Sequence, residues 1–328
     1  MTWHLVTTDH PPQVGGLATW AGGIARALLA AGEPVRVHTR DRALEGRSPA
    51  DFPYPLTPMW GRSWRRWSPL WARLSVAPRL KDGDRVLAAT WPLALWLLGR
   101  AELSVSFHGS DLTRPPPLSG RERVLDAARL LPVSAYLGGL LGRRWTRLPM
   151  PIDPVEPVRR GPRLLTIARL VPGKGVDRVL RLGHRRGWPV TVVGDGPERP
   201  RLEALAKELG GDIQFTGRLA PEAIPWHGSR AVALFSEADP DGGGAEGLGI
   251  TLLEAAARGL PTLGSRCGGV PEAAMIVLDP EDDSAVTGRL PDVDEAQHWL
   301  RARHGSQRAV DVLRGGEPPT PNGYESDP

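Results

Sequence analysis

The chain has 328 residues, of which 24% are charged and 41% hydrophobic, and its formal net charge at pH 7 is +4. This length allows two domains of ordinary size, and the composition excludes a disordered or fibrous protein. The single cysteine excludes a disulfide within the chain and fits a reducing compartment.

Charge is divided unevenly along the chain. Residues 1–150 contain 20 Lys and Arg against 11 Asp and Glu, a net charge of +9, whereas the remainder contains 21 against 26, a net charge of −5. A basic first half indicates an anionic partner. The chain opens directly on a strand-like run, and its longest apolar stretch, residues 86–99, is too short for a membrane span. We therefore expect a cytoplasmic protein that is soluble or lies on a membrane surface.

Short apolar runs alternate with helical patterns in the first half, which predicts a parallel sheet covered by helices. The predicted strands are residues 3–7, 34–39, 85–89, 103–107 and 130–134. A helix at residues 18–30 is predicted between the first two strands. This β-α-β start indicates a doubly wound, Rossmann-like domain over residues 1–150.

A proline-rich stretch at residues 149–162 is interpreted as a linker, and the alternation begins again after it. The pattern predicts strands at residues 163–168, 190–193, 213–216, 231–235 and 262–263, with helices at 176–186 and 198–209. A second Rossmann-like domain is therefore predicted over residues 160–313, facing the first across a ligand-binding cleft. Residues 314–328 are rich in proline and glycine and are expected to be disordered.

Two carboxylates, Glu246 and Glu254, are eight positions apart around the glycine-rich start of an apolar helix. Eight helical steps leave an angular offset of about 80°, so both side chains can face one cleft. Gly247 and Gly249 let the backbone approach a ligand, and free N–H groups at a helix start favour an anion. The spacing alone leaves open a capped helix with one solvated glutamate.

Two cations, Arg169 and Lys174, lie in a glycine-containing loop directly after the predicted strand 163–168. Arginine can contact a diphosphate with two parallel hydrogen bonds, and lysine supplies a point charge. An ordinary basic surface loop is the alternative.

In the first half, the loop that ends in Gly15 and Gly16 can present amides to a phosphate or an acceptor, or it is a plain tight turn.

His108 and Asp111 follow the predicted strand 103–107. A histidine there can hydrogen-bond a transferred group or an acceptor hydroxyl, or it can be purely structural. Asp111 is the weaker candidate.

In the second half of the chain, the turn at residues 193–198 is interpreted as structural. No Ser-His-Asp order, metal-ligand cluster or P-loop occurs in the sequence.

Four tryptophans at helical spacing form one stripe, accompanied by arginines: Trp60, Trp64, Trp67 and Trp71. A basic helix with a tryptophan face fits docking on an anionic membrane surface. Packing into the core of the first domain is the alternative. The docking interpretation implies a peripheral protein on the inner face of the plasma membrane and a lipid-linked acceptor.

The run from Glu246 to Pro261 resembles the E-x7-E signature of the retaining nucleotide-sugar glycosyltransferases of family 4, which have the GT-B fold. Residues 264–272 resemble the segment that follows this signature. The resemblance covers most of residues 160–275 and, more thinly, the first domain. Residues 239–245 are glycine-rich, as in a subgroup that includes mannosyltransferases acting on phosphatidylinositol mannosides.

This resemblance implies roles for the candidate residues. Arg169 and Lys174 match the R-x4-K pair that stabilises the departing nucleoside diphosphate, and His108 matches a cleft histidine. Of Glu246 and Glu254, one contacts the sugar and the other holds the ribose. The remaining donor-binding positions are Gly15, Gly16, Gly217, Gly247, Leu248, Gly249 and Ile250. The candidates on the acceptor side are Asp9 and Asp111.

The resemblance therefore implies a retaining hexosyltransferase that needs no metal or other cofactor. Its co-substrate is a nucleoside-diphosphate sugar, and its acceptor is a glycan or a lipid-linked molecule of bacterial surface polysaccharide or glycolipid assembly. Two other functions stay open: a nucleotide-sugar epimerase of the same fold, and a non-catalytic relative that binds a nucleotide or glycan. No nucleic-acid partner is expected, and the lack of G-x-G-x-x-G after the first strand disfavours a dinucleotide enzyme.

Overall fold

A computed structural model describes residues 1–40, 47–59, 70, 72–113, 119–238, 245–279, 286 and 289–317. The chain forms two compact units. The first comprises residues 1–151 and the chain from Ala302 onward, and the second comprises residues 152–301. The four tryptophans of the predicted stripe lie outside the described residues, as do the glycine-rich residues 239–244.

The first unit contains a six-stranded parallel sheet in the order β3-β2-β1-β4-β5-β6. Its strands are β1 (Trp3–Val6), β2 (Val35–Arg40), β3 (Leu56–Met59), β4 (Arg85–Ala88), β5 (Glu102–Phe107) and β6 (Arg129–Pro132). Its helices include α1 (Gly16–Ala30), α2 (Trp91–Ala94), α3 (Ser110–Thr113), α4 (Arg121–Ala127) and α5 (Ala135–Gly139). Residues 72–76 are also helical.

The strand pattern of this sheet agrees with the predicted strands except for β3. Pro58 lies within β3 and has no N–H to donate, which disfavours a strand in the sequence pattern. β3 is at the edge of the sheet and pairs with β2 alone. An edge strand tolerates proline because one side of it makes no ladder hydrogen bonds.

The second unit contains a second six-stranded parallel sheet, in the order β12-β11-β10-β7-β8-β9. Its strands are β7 (Arg163–Ile167), β8 (Val190–Val193), β9 (Ile213–Gly217), β10 (Ser229–Leu234), β11 (Thr262–Gly264) and β12 (Ile276–Val277). Its helices include α6 (Val176–Arg186), α7 (Arg199–Leu209), α8 (Ile250–Ala257), α9 (Val270–Ala273) and α10 (Val293–Arg303). The predicted α/β fold with two Rossmann-like, doubly wound sheets is confirmed.

The last helix, α11 (Ser306–Leu313), belongs to the first unit, so the predicted domain 160–313 is wrong for this helix. Arg129 of β6 donates to the carbonyl oxygens of Val312 and Leu313 at 2.6 and 3.2 Å. A cation is favourable at the C-terminal end of a helix, where carbonyl groups lack partners. Arg314 pairs with Glu33 at 2.8 Å, so the predicted disorder from residue 314 is wrong at its first position. Residues 318–328 lie outside the described part.

Most of the proline-rich stretch at residues 149–162 is part of the second unit, which begins at residue 152. The N–H of Val155 donates to the carbonyl oxygen of Ala257 at 3.0 Å. The side chain of Gln297 donates to the carbonyl oxygens of both residues, at 2.8 and 2.9 Å. The carbonyl oxygen of Ala257, the last residue of α8, thus has two donors, which fix the C-terminal end of the helix that Glu246 precedes.

Two histidines and an aspartate are buried together in the first unit. His4 Nδ1 lies 3.0 Å from His38 Nε2, and His4 Nε2 lies 3.3 Å from Asp84 Oδ2. The remaining ring nitrogen of His38, Nδ1, is buried with no hydrogen-bond partner among the described residues. Burial lowers the pKa of both imidazoles, and that of His38 lies well below its ordinary value because His4, Arg36 and Arg79 add repulsion.

We expect the protein to lose stability as the pH falls from about 7 to about 5. A histidine whose folded pKa lies below the unfolded value of 6.5 stabilises the fold above that value, because the unfolded chain binds the proton first on acidification. Denaturant unfolding at both pH values measures the loss of free energy. His38→Leu should reduce this loss, whereas His227→Gln, at an exposed position, should leave it unchanged. An undiminished loss in His38→Leu would contradict this origin of the acid sensitivity.

Candidate functional site

The second sheet changes its direction of winding between two neighbouring strands, β7 and β10. Strands β8 and β9 follow on one side of β7, and β10, β11 and β12 lie on the other. Ligands of open α/β sheets bind outside the carboxyl ends of the strands at such a switch point. The loops that leave β7 and β10 carry Arg169, Lys174 and Glu246. The structure therefore brings three of the predicted site residues to one edge of one sheet.

A half-buried ion pair joins these two loops. Lys174 Nζ donates to Glu246 Oε2, and each side chain is 23% exposed. Water screens a pair at this exposure less than it screens a pair on the open surface. The ammonium group of Lys174 is thus already oriented beside the segment that leads into α8.

Helix α8 begins without a side-chain cap. Gly249 at its N-cap has φ 91° and ψ 56°, and no acidic residue lies in the first turn. A helix start of this kind keeps amide N–H groups available and carries the positive end of the helix dipole. Gly247 and Leu248 are buried, and Ile250 is the first helical residue. The predicted glycine-rich start of the helix has the geometry of an anion site.

Arg169 is the exposed cation of the loop that carries Lys174. Its carbonyl oxygen accepts a hydrogen bond from the N–H of Val171 at 2.9 Å, which tightens the loop just after β7. Its guanidinium makes no ion pair with any residue that the structure describes. Arg169 can therefore contact an anion without first breaking an internal ion pair, whereas Lys174 must exchange partners.

Glycines let the neighbouring loops pack closely around Glu246. The N–H of Gly269 donates to the carbonyl oxygen of Glu246 at 2.8 Å. A Cβ atom at Gly268 would overlap this same carbonyl, and one at Gly175 would overlap the carbonyl oxygen of Phe235. The sequence pattern assigns no role to Gly268 and Gly269, although an adjacent pair of glycines after a strand signals close backbone approach.

The turn after β8 supports the loop after β7, in agreement with its structural interpretation. The N–H of Leu170 donates to the carbonyl oxygen of Asp195 at 3.0 Å. The N–H of Gly194 donates to the carbonyl oxygen of Gly217 at 2.8 Å. A Cβ atom at Gly194 would overlap the carbonyl oxygen of Ala168. Gly217, with φ 74°, ends β9 at the same edge of the sheet.

Glu254 lies within α8, and its side chain is half-buried. Burial raises the pKa of its carboxyl group, and the nearby guanidinium of Arg258 opposes this shift. Arg258 Nη1 donates to the carbonyl oxygen of Glu254 at 2.8 Å, and its Cζ atom lies 4.6 Å from the centroid of the Trp226 ring. The two glutamates of the predicted pair thus lie in different environments: Glu246 forms an ion pair with Lys174, whereas the carboxyl group of Glu254 is desolvated by burial and lies near Arg258.

In the first unit, the loop between β1 and α1 carries Asp9, Gly15 and Gly16. Asp9 Oδ1 accepts from Arg40 Nη2, and Arg40 Nε donates to the carbonyl oxygen of Thr8 at 2.6 Å. Gly15, at the N-cap of α1, has φ 156° and provides no side-chain cap. The two glycines are exposed and leave the helix start open, whereas the charge of Asp9 is offset by Arg40.

His108 and Asp111 lie together after β5. Asp111 Oδ1 accepts from the N–H groups of His108 and Gly109, both at 3.1 Å. Burial raises the pKa of Asp111 to about 6. These contacts make Asp111 a residue that fixes the turn, and its contact with an acceptor stays a prediction. The ring of His108 lies edge to face with Trp20 of α1, with centroids 4.5 Å apart, a contact that the spacing of the sequence does not predict.

Within the described ranges, no group of three or more His, Cys, Asp or Glu side chains could hold a metal ion, and independence from metal stays a prediction. Of the helices that the structure describes, none has the length and apolar character needed to cross a membrane.

Cys267 is half-buried, and burial raises the pKa of its thiol. A raised thiol pKa is unfavourable for a nucleophile.

The family model of the glycosyl transferases group 1 matches residues 154–275. The GDP-mannose-dependent alpha-(1-6)-phosphatidylinositol monomannoside mannosyltransferase of Mycolicibacterium smegmatis is 35% identical over an alignment of 146 positions, gaps included, that covers 40% of this chain and 38% of that protein. The GDP-mannose-dependent monoacylated alpha-(1-6)-phosphatidylinositol monomannoside mannosyltransferase of Corynebacterium glutamicum is 25% identical, over 90% of this chain and 87% of that protein.

The match covers 38% of the Mycolicibacterium smegmatis protein and 48% of the protein of the same name from Mycobacterium tuberculosis, so the chain spans less than half the length of these curated relatives. Among solved structures, that of AviGT4, a glycosyltransferase involved in avilamycin A biosynthesis, has a TM-score of 0.67 at 17% identity. The likeness covers 95% of this chain and 96% of that one. At this identity it concerns the fold, and it confirms the predicted GT-B class.

Proposed function

Because this chain belongs, through residues 154–275, to the group 1 glycosyl transferases, we propose that it is a retaining hexosyltransferase. It moves a sugar from a nucleoside-diphosphate donor to a glycan or lipid-linked acceptor without a metal ion. The observation that carries the proposal is the half-buried pair of Lys174 and Glu246 beside the uncapped start of α8.

Positive groups of the second unit offset the charge of the donor diphosphate. Arg169 contacts phosphate oxygens through two parallel N–H groups, Lys174 supplies a point charge, and the first amides of α8 contribute the positive end of the helix. Negative charge on the diphosphate grows as its bond to the sugar breaks. These groups therefore stabilise the transition state more than the bound donor, which is the requirement for catalysis.

The ion pair also gives Glu246 its role. A phosphate that binds Lys174 competes with Glu246 for the ammonium group, and the carboxylate then accepts hydrogen bonds from hydroxyls of the sugar. Glu254 accepts from the hydroxyls of the ribose, and the backbone at Gly217 contacts the base. The sugar keeps its anomeric configuration when the acceptor attacks from the face that the diphosphate leaves. A leaving phosphate oxygen takes the acceptor proton, so no protein nucleophile is required.

GDP-mannose is the donor we propose, since both relatives are named for GDP-mannose-dependent transfer to a phosphatidylinositol monomannoside. An anionic lipid acceptor agrees with the net charge of +9 over residues 1–150. Trp96 and Leu74 are 41% and 53% exposed, and Arg73 Cζ lies 5.5 Å from the centroid of the Trp96 ring. A basic surface with exposed apolar side chains suits an anionic membrane, which supports a peripheral position on the inner face of the plasma membrane.

A thermal-shift screen of GDP-mannose, UDP-glucose and ADP-glucose tests the donor. A ligand that binds only the folded protein adds about 2.7 kcal/mol to the free energy of unfolding at a hundredfold excess over Kd. We expect GDP-mannose to raise the melting temperature more than the other two nucleotide sugars. No shift with any of them would contradict the binding of a nucleotide sugar.

A product assay with radiolabelled GDP-mannose separates the alternative functions. A transferase places the label in the lipid phase only when phosphatidylinositol monomannoside is present. An epimerase converts the nucleotide sugar in the absence of acceptor, and a non-catalytic relative binds it without turnover. Either of the last two results would exclude the proposed transfer.

A further inference from the structure

The loop that carries Lys174 is packed at its ends and open in its middle. Leu170 and Gly175 are buried, whereas residues 171–174 between them are half-buried or exposed. A cavity of about 220 Å³ lies between this loop and the start of α7. A segment with few buried apolar contacts opens at little cost in free energy. The position of Lys174 therefore depends on hydrogen bonds and ion pairs.

Glu237, which follows β10, makes two such contacts with the loop and the helix after it. Its N–H donates to the carbonyl oxygen of Gly173 at 2.9 Å. Its Oε1 atom lies 2.7 Å from Arg178 Nε, and the two side chains are 41% and 29% exposed. The carbonyl oxygen of the preceding residue, Ser236, accepts from Ser265 Oγ at 2.6 Å, and both serines are buried. Glu237 thus joins the Lys174 loop to a fixed part of the sheet edge.

Arg178 lies in the first turn of α6, directly after the Lys174 loop. A cation is unfavourable at this place, because the N-terminal end of a helix carries partial positive charge. The carboxylate of the same turn, Asp177, lies 4.0 Å from Arg201 Nη1. The carboxylate beside Arg178 comes instead from Glu237, on a different loop. The pair therefore offsets an unfavourable charge at the helix start and joins the two loops at the same time.

These contacts do not use the ammonium group of Lys174. That group is held by Glu246, and in the proposed reaction a phosphate of the donor competes with Glu246 for it. When the phosphate takes the ammonium group, the loops after β7 and β10 lose the contact between Lys174 and Glu246. The contacts of Glu237 with Gly173 and Arg178 remain, and they keep the two loops together during the exchange.

We infer that Glu237 and Arg178 are positioning residues, which hold the Lys174 loop against the loop after β10 while Lys174 exchanges Glu246 for a phosphate. Both residues act through Lys174 and touch no substrate. Their effect on catalysis rests on the proposed sugar transfer, whereas the contact between the two loops belongs to the protein alone.

A double-mutant cycle tests whether Glu237 acts through Lys174. Glu237→Ala removes the ion pair and keeps the backbone N–H, and we expect it to lower kcat about tenfold, because a displaced catalytic group loses rate steeply with distance. In the Lys174→Ala background, the same substitution should change kcat less than about twofold. Losses that multiply in the double variant would overturn the inference, since they would show an effect independent of Lys174.

Charge exchange and a matched ion pair serve as controls. Arg178→Glu should lose kcat as Glu237→Ala does, and the addition of Glu237→Arg should recover most of it, because the pair is restored with its charges reversed. Arg199 and Glu203 of α7 form an ion pair at 2.8 Å with exposures of 31% and 42%, close to those of the pair under test. Glu203→Ala should leave kcat within about twofold. An equal loss in Glu203→Ala would contradict the assigned role.

Hydrogen–deuterium exchange of the full chain without substrate separates this inference from the proposed function. The N–H of Lys174 donates to the carbonyl oxygen of Val171 at 3.3 Å, so its exchange rate reports opening of the loop. We expect Glu237→Ala to accelerate exchange in the peptide that covers residues 170–175 at least about threefold, and Glu203→Ala to leave it unchanged. Unchanged exchange in Glu237→Ala would overturn the inference even if sugar transfer occurs. Accelerated exchange in a protein that transfers no sugar would support the contact between the loops and contradict only the proposed function.

Discussion

Lys174→Ala is expected to reduce kcat for sugar transfer by about 10²–10³-fold, the usual effect of removing one group that stabilises developing negative charge. Lys174 is held beside the start of α8 by Glu246, so its charge is in place before the donor binds. Glu246→Ala should also abolish most of the transfer, because it removes both the orientation of the lysine and the proposed contact with the sugar. Steady-state kinetics with GDP-mannose and phosphatidylinositol monomannoside measure both effects.

Matched controls for these substitutions lie on the same unit. Lys207 and Glu208 are exposed residues of α7, and their replacement by Ala should leave kcat within about twofold. The double variant Lys174→Ala, Glu246→Ala should lose less than the product of the two single losses, because the residues act as one unit. Full activity of either single variant would contradict the proposed site.

Loss of the ion pair should affect stability far less than activity. A partly exposed pair contributes about 0–1 kcal/mol, so Lys174→Ala should keep a cooperative unfolding transition close to that of the parent protein. Thermal unfolding measured on the same preparations separates a lost catalytic charge from a lost fold.

The fold follows from the sequence where local patterns decide it. Continuous apolar runs flanked by glycine and proline predict the central strands of both sheets, because parallel strands are buried on both faces. The pattern misses β3, where Pro58 disguises an edge strand. It also misplaces α11, because the bond from Arg129 to the carbonyl oxygen of Leu313 joins residues 184 positions apart. Such long-range partners leave no periodic signal in the sequence.

The candidate site is predicted in part for the same reason. Arg169 and Lys174 are recognisable as cations after a strand, and Glu246 as a carboxylate before a glycine-rich helix start. The pairing of Lys174 with Glu246 across 72 positions becomes visible only when β7 and β10 are neighbours in the sheet. Trp20 has no signal beyond its place on the apolar face of α1, and its contact with His108 is purely tertiary.

Gly175→Ala is expected to destabilise the second unit strongly and to impair donor binding. Gly175 has φ 59° at the N-cap of α6, and a Cβ atom there would overlap the carbonyl oxygen of the buried Phe235. Phe235 directly follows β10, so relief of the overlap must separate the loops after β7 and β10. Lys174, the preceding residue, would then move away from Glu246.

Gly187 provides a control at the other end of the same helix. It has φ 62°, almost the backbone conformation of Gly175, and a Cβ atom there would meet no atom within 4 Å. Gly187→Ala therefore measures the cost of alanine in the left-handed region alone, roughly 1–2 kcal/mol. Gly175→Ala adds the cost of overpacking, about 1–3 kcal/mol, and only this variant should lose the thermal shift produced by GDP-mannose. Equal losses of stability in the two variants, with donor binding intact in both, would mean that the close approach of Gly175 to Phe235 does not hold the site together.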